Sequence, residues 1–248
     1  MANHSQLDAV DGAPRGALDT SLLAAGLVFP ALAAGLYFVV YAASPALPAL
    51  YSACKIAQFA LPIVWLLLVA RRLPDRALFS ARGLAGGAAG GALLAAGVLI
   101  FYLLVVRGND LAAGAAPRIA ARLEVLHCAT PSRFVALALF LSVAHSFLEE
   151  YYWRWFAFGR LRAYLGMGGA VALSSAAFAA HHVFVLHAFI GSDRFPATVL
   201  LSFAVAAAGA LWAWQYARSR ALVPVWVSHA LVDLGIMGIG YDLVWGGA

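Results

Sequence analysis

Residues 133–158, RFVALALFLSVAHSFLEEYYWRWFAF, decide the fold class because they are long and apolar enough to form a membrane-spanning helix. Such a helix needs about 20 mostly apolar residues to cross the hydrocarbon core of a bilayer. The same stretch carries Glu149 and Glu150 side by side. An ionisable side chain in a membrane helix costs about 2.5–3.5 kcal/mol on insertion scales, so it usually has a function. The stretch therefore predicts both a transmembrane fold and a polar functional site within it.

The whole chain has the composition of a polytopic membrane protein. Of its 248 residues, 64% are hydrophobic and 11% are charged, whereas an ordinary soluble domain is about 45–50% apolar and about 25% charged. This composition excludes a soluble globular fold. The net charge of +5 is not gathered into a basic patch, so nucleic-acid binding is not expected. We predict an all-α transmembrane helix bundle.

Seven apolar segments reach spanning length, and the length of the chain allows seven or eight spans. The segments are 19–43, 49–70, 84–106, 133–158, 166–189, 196–217 and 222–245. Between the third and fourth segments, residues 118–128 are either an interfacial amphipathic helix or part of a broken span. Small residues at 85–91 (AGGAAGG) predict close helix packing in the third segment.

Arginine clusters between the segments predict the orientation. They are Arg71, Arg72, Arg76 and Arg82, then Arg154, Arg160 and Arg162, then Arg218 and Arg220. The positive-inside rule places these clusters, and with them the polar tail 1–17, in the cytoplasm. The tail lacks the basic region and short apolar core of a secretory signal. Fifteen Arg against the single Lys55 indicate a GC-rich bacterial genome, so we expect a bacterial inner-membrane protein.

Helical spacing separates the roles of the two adjacent glutamates. Glu150 and Arg154 are four residues apart and share a helix face, which predicts a structural ion pair. Glu149 points about 100° away and is left as the available base, with His145 one turn before it. The alternative is that both glutamates pair with Arg154.

Two further segments carry ionisable residues. Phe178, His181 and His182 lie in the fifth, and His229 precedes Asp233 by one helical turn in the seventh. Side chains from separate helices can meet only in the bundle core, so we expect Glu149 to converge there with His182, His229 and Asp233. We interpret His145 and His187 as structural or interfacial, whereas His181 remains open because only one of two adjacent histidines can face a given site.

Together, three motifs resemble the CPBP (CAAX protease and bacteriocin-processing, or ABI) family of intramembrane glutamic endopeptidases. They are Glu149-Glu150-x-x-x-Arg154, Phe178-x-x-x-His182 and His229-x-x-x-Asp233, in the family's order and each on its own apolar segment. The last motif has Asp233 where the family more often has Asn. The resemblance divides the chain into the tail 1–17, N-terminal helices and a connecting segment over 18–132, and a catalytic core over 133–248.

The resemblance implies hydrolysis of a peptide bond in a membrane-anchored or C-terminally tagged protein substrate. By this analogy, Glu149 and His182 activate a water, and His229 and Asp233 stabilise the oxyanion. Glu150, Arg154 and Phe178 then support the site. The resemblance favours a mechanism without metal or other cofactor, although two His and one Glu leave zinc open as an alternative.

Two other functions fit parts of the same pattern. A proton-coupled transporter also uses intramembrane Glu, His and Asp, but no repeat relates the two halves of the chain, as it does in many carriers. A non-catalytic bacteriocin immunity factor is the other alternative. The aromatic run at 151–155 (YYWRW) suggests either a border of the substrate path or an interfacial belt.

Overall fold

The computed structural model describes residues 16–71 and 76–246, and all regular structure in these ranges is helical. Most of the predicted tail 1–17 lies outside the described residues. The α-helices are α1 (Ala17–Gly35), α2 (Leu47–Trp65), α3 (Leu84–Phe101), α4 (Asp110–Val125), α5 (Pro131–Leu139), α6 (Ser146–Glu150), α7 (Gly159–Ile190), α8 (Phe195–Ser219) and α9 (Leu222–Trp245). The predicted all-α class is confirmed.

Wider π-helical stretches extend or join several of these helices. Leu36–Val40, Leu66–Ala70 and Tyr102–Val106 lengthen α1, α2 and α3, and Phe140–His145 and Tyr151–Phe158 link α5, α6 and α7 into one helical path. Short 3₁₀ turns occupy Arg76–Phe79 and Ser192–Arg194. Such π-helical turns often occur at functional sites, and two of them flank the adjacent glutamates.

Six helical stretches in the described part of the chain are long and apolar enough to cross a membrane. They are Ala17–Val40, Leu47–Ala70, Leu84–Val106, Pro131–Ile190, Ser192–Ser219 and Leu222–Trp245. The predicted count of seven or eight spans is therefore not confirmed. The difference arises because Pro131–Ile190 runs for 60 residues, about three times the length that one crossing needs.

Gly166 breaks this 60-residue path into two legs. Its φ of 65° and ψ of −169° are not helical, and glycine adopts a positive φ without the steric cost of a Cβ. The legs then run side by side, because Trp153 before the break meets Phe178 and His181 after it, each at 5.7 Å between ring centroids. These legs contain the predicted fourth and fifth segments.

The connection between α3 and α5 is built around the amphipathic helix α4, which is not among the candidate spans. Asn109 caps its beginning, where Oδ1 accepts hydrogen bonds from the amides of Leu111 and Ala112. Arg118 and Arg122 donate to the carbonyls of Ile190 and Ala42, at the ends of the α7 and α1 stretches. The helix is thereby fastened to one end of the bundle.

Small residues bring α3 directly against the backbone of α9, as the glycine-rich pattern predicts. A Cβ added to Gly91 would lie 2.6 Å from the backbone of Ser228, and one added to Gly87 would collide with the carbonyl of Pro224. Glycine at these two positions lets the helices approach closely. Ser228 immediately precedes His229, so this contact sets the position of a predicted site residue.

A buried ion pair ties α1 to the beginning of α7. Asp19 accepts hydrogen bonds from Arg160, from Trp65 Nε1 at 2.7 Å and from Tyr164 Oη at 2.9 Å, and Asp19 and Arg160 are both fully buried. Arg154 is buried as well. Arg154 and Arg160, which the orientation argument counted among the cytoplasmic charges, thus lie in the protein interior. The predicted orientation therefore rests on the other arginines.

The aromatic run around Arg154 forms the centre of the bundle. Tyr152 and Trp153 are fully buried and Trp155 nearly so, and Tyr152 Oη donates to the carbonyl of Gly26 in α1 at 2.6 Å. These three side chains are core residues, so the interpretations of the run as a border of the substrate path or as an interfacial belt do not hold for them. The helix carrying the two glutamates is surrounded by the rest of the bundle.

We predict that Asp19→Asn strongly destabilises the protein, because it removes the carboxylate of the buried ion pair with Arg160. Removing one partner of a buried pair typically costs about 3–5 kcal/mol. Asp193→Asn is the control, since the Asp193 side chain is 61% exposed beside Arg118 and Arg194 and exposed pairs contribute at most about 1 kcal/mol. Thermal unfolding of both purified variants in detergent measures the difference, and equal Tm values would contradict the prediction.

We also predict that Gly91→Ala destabilises the contact between α3 and α9, while Gly97→Ala does not. An added methyl group at Gly91 meets the backbone of Ser228, whereas nothing lies within 4 Å of a Cβ on Gly97. Overpacking of this kind costs about 1–3 kcal/mol. The same thermal unfolding assay tests the pair, and a loss of stability in Gly97→Ala equal to that in Gly91→Ala would refute this view of the contact.

Candidate active site

Glu149 lies buried on α6 with three histidines around its carboxylate. Its Oε1 atom is 3.4 Å from His145 Nε2 and 3.5 Å from His181 Nε2, and its Oε2 atom is 3.9 Å from His229 Nε2. Only 4% of Glu149 is exposed. These histidines come from the turn before Glu149, from the part of α7 after Gly166 and from α9, so three parts of the fold converge on this carboxylate.

Glu150 occupies a separate position on the same helix and links Arg154 to His229. Its Oε2 atom is 3.2 Å from Arg154 Nε, and its Oε1 atom accepts a hydrogen bond from His229 Nδ1 at 2.7 Å. The ion pair has the i, i+4 spacing that the sequence predicts. In the described part of the chain, no ion pair within 4 Å joins Arg154 to Glu149, so the geometry does not favour the alternative in which both glutamates pair with this arginine.

Aromatic rings enclose the Arg154 guanidinium. Its carbon atom Cζ is 4.8 Å from the centroid of Phe178 and 5.3 Å from that of Trp212, distances at which a cation is attracted by a ring face. Trp212 also stacks on His229 at 4.0 Å and donates to Ser228 Oγ. Phe178 thus contacts the cation that forms the ion pair with Glu150.

His229 is held between carboxylates on both sides of its ring. Besides the bond from Nδ1 to Glu150, its Nε2 atom lies 3.5 Å from Asp233 Oδ1. The same Nε2 faces Glu149 at 3.9 Å. A ring with a proton on each nitrogen presents one donor to Glu150 and a second toward the space between Asp233 and Glu149, where a substrate oxygen would have to lie to be polarised.

His182 is next to this cluster, and its ring is fixed by its own helix. Nδ1 lies 2.9 Å from the carbonyl oxygen of Phe178, so this nitrogen carries a proton and donates it. In the neutral ring, Nε2 is then an acceptor. His181 packs against His182 at 4.0 Å between ring centroids and stacks on Trp153. Of the two histidines, His181 makes the direct contact with Glu149, and His182 makes no ion pair within 4 Å in the described residues.

The structure brings three residues to the site that the sequence analysis did not assign to it. The sequence favours a structural or interfacial role for His145, although its i−4 spacing to Glu149 is a usable signal. His181 was left open. Lys55, the only lysine, comes from α2 and is close enough to Glu149 to interact electrostatically with it. A charged residue inside a predicted span was the available signal. His187 joins none of the ion pairs found in the described residues.

The arrangement suits proton transfer and charge stabilisation in a site shielded from water. A carboxylate beside several imidazoles has both acceptors and donors for a general acid and base, and fixed donors are worth more at low dielectric. Among residues 16–71 and 76–246, no three His, Cys, Asp or Glu side chains are grouped as ligands of a metal ion.

Comparison with known proteins finds one similarity, in the C-terminal part of the chain. No curated protein matches the chain. No solved structure matches it either. Residues 131–235 match a family model described as type II CAAX prenyl endopeptidase, Rce1-like. All three motifs, and every site residue named above except Lys55, fall within this match, so the resemblance inferred from the motifs is confirmed there and implies that this multi-pass membrane protein is a protease.

Proposed function

We propose that the protein is an intramembrane glutamic endopeptidase that cleaves a membrane-anchored or C-terminally tagged protein. The observation that carries this proposal is the buried Glu149 carboxylate, which lies within a membrane-spanning stretch and is faced by histidines from separate parts of the fold. A carboxylate at this position makes membrane insertion less favourable, so its presence indicates a function. The endopeptidase family match over the same residues supports the proposal.

In the proposed first step, Glu149 and His182 hold a water between them. Glu149 takes one proton as the oxygen attacks the carbonyl carbon of the peptide bond, and Nε2 of His182 accepts a hydrogen bond from the same water. This role requires the tautomer that the bond to Phe178 favours. The tetrahedral intermediate then collapses, and Glu149 returns the proton to the amine that leaves. One water is consumed, and a carboxylate and an amine are formed.

Stabilisation of the oxyanion is assigned to His229 and Asp233. The Nε2–H group of His229 points into the space beside Glu149, and Asp233 at 3.5 Å orients this proton. Glu150 accepts from the opposite nitrogen, and Arg154 in turn neutralises Glu150. Removing one donor from an oxyanion site typically costs about 10²–10³ in kcat, which is the scale expected for loss of His229.

We predict that Glu149→Gln lowers kcat by about 10²–10⁴-fold, the usual contribution of a positioned general base. Glu124→Gln is the matched control, because Glu124 is the only glutamate outside the adjacent pair and is exposed on α4. The assay is cleavage of a panel of membrane-anchored and C-terminally tagged peptides in liposomes. Cleavage that survives in Glu149→Gln would contradict the proposed base.

The same assay with a strong chelator tests the metal-free mechanism. We expect full cleavage after chelation, because the proposed steps use only side chains and water. Loss of activity on chelation, restored by added zinc, would instead support a metal-dependent endopeptidase. If the protein cleaves no peptide of the panel and also leaves intact a peptide that co-purifies with it, the result would favour a transporter or an immunity factor.

A comparison of the two adjacent histidines tests the assignment of His182. We predict that His182→Gln lowers kcat by about a hundredfold or more with little change in KM or Tm. His181→Gln is expected to act mainly on Tm, because His181 stacks on Trp153 in the core. If instead His181→Gln abolishes turnover while His182→Gln leaves it intact, the water is held by Glu149 and His181.

A further inference from the structure

Lys55 places a positive charge inside the membrane-spanning stretch Leu47–Ala70. It lies in α2, half-buried, and its Nζ atom is 5.8 Å from the Tyr51 ring and 5.6 Å from the Phe59 ring. In the described residues, no carboxylate lies within 4 Å of this ammonium. A cation without a close anion is unfavourable in hydrocarbon, so intramembrane lysines generally serve a ligand or a partner charge.

Gln58, one turn further along α2, adds a second donor to the same place. Its Oε1 atom accepts a hydrogen bond from Lys55 Nζ at 3.4 Å, while its Nε2 atom is buried and has no hydrogen-bond partner in the described part of the chain. Gln58 is only 1% exposed. Buried polar groups are nearly always hydrogen-bonded, so an unpartnered amide beside an ammonium indicates an acceptor that the protein itself does not supply.

This donor pair adjoins the catalytic cluster. The Phe59 ring that faces Lys55 packs edge-on against His145 at 5.7 Å, and His145 contacts Glu149. The ammonium is also close enough to interact electrostatically with Glu149, His181 and His182. An acceptor bound between Lys55 and Gln58 is therefore near the position proposed for the scissile bond.

We propose that Lys55 and Gln58 bind a carboxylate of the substrate and thereby position the peptide for cleavage. A carboxylate has two oxygens and takes hydrogen bonds from an ammonium and an amide together. The carboxylate comes either from the C-terminus of the substrate or from an acidic side chain close to the cleaved bond. The proposal rests on the proposed function, since it places a substrate in that site. It assigns a binding role to α2, which lies outside the matched residues 131–235.

Binding, rather than cleavage, separates this proposal from the proposed function. The full-length Glu149→Gln protein is placed in lipid nanodiscs, and three dansyl-labelled, prenylated peptides are titrated by fluorescence. The first is Cys-Val-Ile-Ala with a free C-terminal carboxylate, the second is the same peptide as a C-terminal amide, and the third is the amide with Asp in place of Ala. Because Glu149→Gln is the background of every measurement, the result does not depend on turnover.

We expect at least one carboxylate-bearing peptide to bind about tenfold to a hundredfold more tightly than the neutral amide, the range for a hydrogen bond to a charged group. Tight binding of the first peptide identifies the C-terminus as the source, and tight binding of the third identifies a side chain. Lys55→Met is expected to remove the preference, and Lys55→Arg to keep most of it. Ser52→Ala, at an exposed site on the same helix, is the control and should leave the preference unchanged.

Three outcomes would overturn the proposal. Equal binding of all three peptides by the protein that retains Lys55 is one, and it needs no Lys55 variant to fold. A preference for the carboxylate that persists in Lys55→Met is the second. Binding of none of the peptides is the third. If carboxylate-dependent binding is found but the unsubstituted protein cleaves no substrate, the proposed function fails while the binding site stands.

Discussion

The structure depends on the requirement that two adjacent carboxylates be buried inside a membrane-spanning stretch. Neither Glu149 nor Glu150 can stay ionised there without positive charge or hydrogen-bond donors from elsewhere. Glu150 obtains them from Arg154 and His229, and Glu149 is surrounded by His145, His181 and His229. Because these donors lie on different helices, satisfying the carboxylates also fixes how the legs around Gly166 and α9 sit against one another.

The N-terminal helices hold this arrangement together from outside the matched region. Asp19 accepts hydrogen bonds from Arg160 and Trp65, and Tyr152 donates to the carbonyl of Gly26. The central helix is therefore locked to α1 on both sides of Arg154. The close approach of α3 to α9 at Gly91 acts similarly on His229. The family match over residues 131–235 thus covers the candidate site, while residues before 131 hold several of its helices in place.

Composition and spacing predicted the all-helical membrane fold and the Glu150–Arg154 pair, because these depend on local periodicity alone. For residues 118–128 they left an amphipathic helix and a broken span open, and the structure has a helix over Asp110–Val125. They could not predict which of His181 and His182 touches Glu149. That choice depends on how α7 is rotated about its axis, and the rotation follows from the turn at Gly166 and the stacking on Trp153. The burial of Arg160 was missed for a related reason: its partner Asp19 is 141 residues away. Only the folded chain brings such partners together.

In the proposed mechanism, Glu149 delivers a water molecule directly to the peptide carbonyl. The most direct test of this step is a single turnover in water enriched in ¹⁸O, with the protein in excess over a peptide that it cleaves. Mass spectrometry of both the product and the protein then locates the label. The account predicts one ¹⁸O atom in the new C-terminal carboxylate of the product and none in Glu149. A product that carries only ¹⁶O, with the label found in the Glu149 side chain, would show that this carboxylate attacks the substrate itself and would contradict the account.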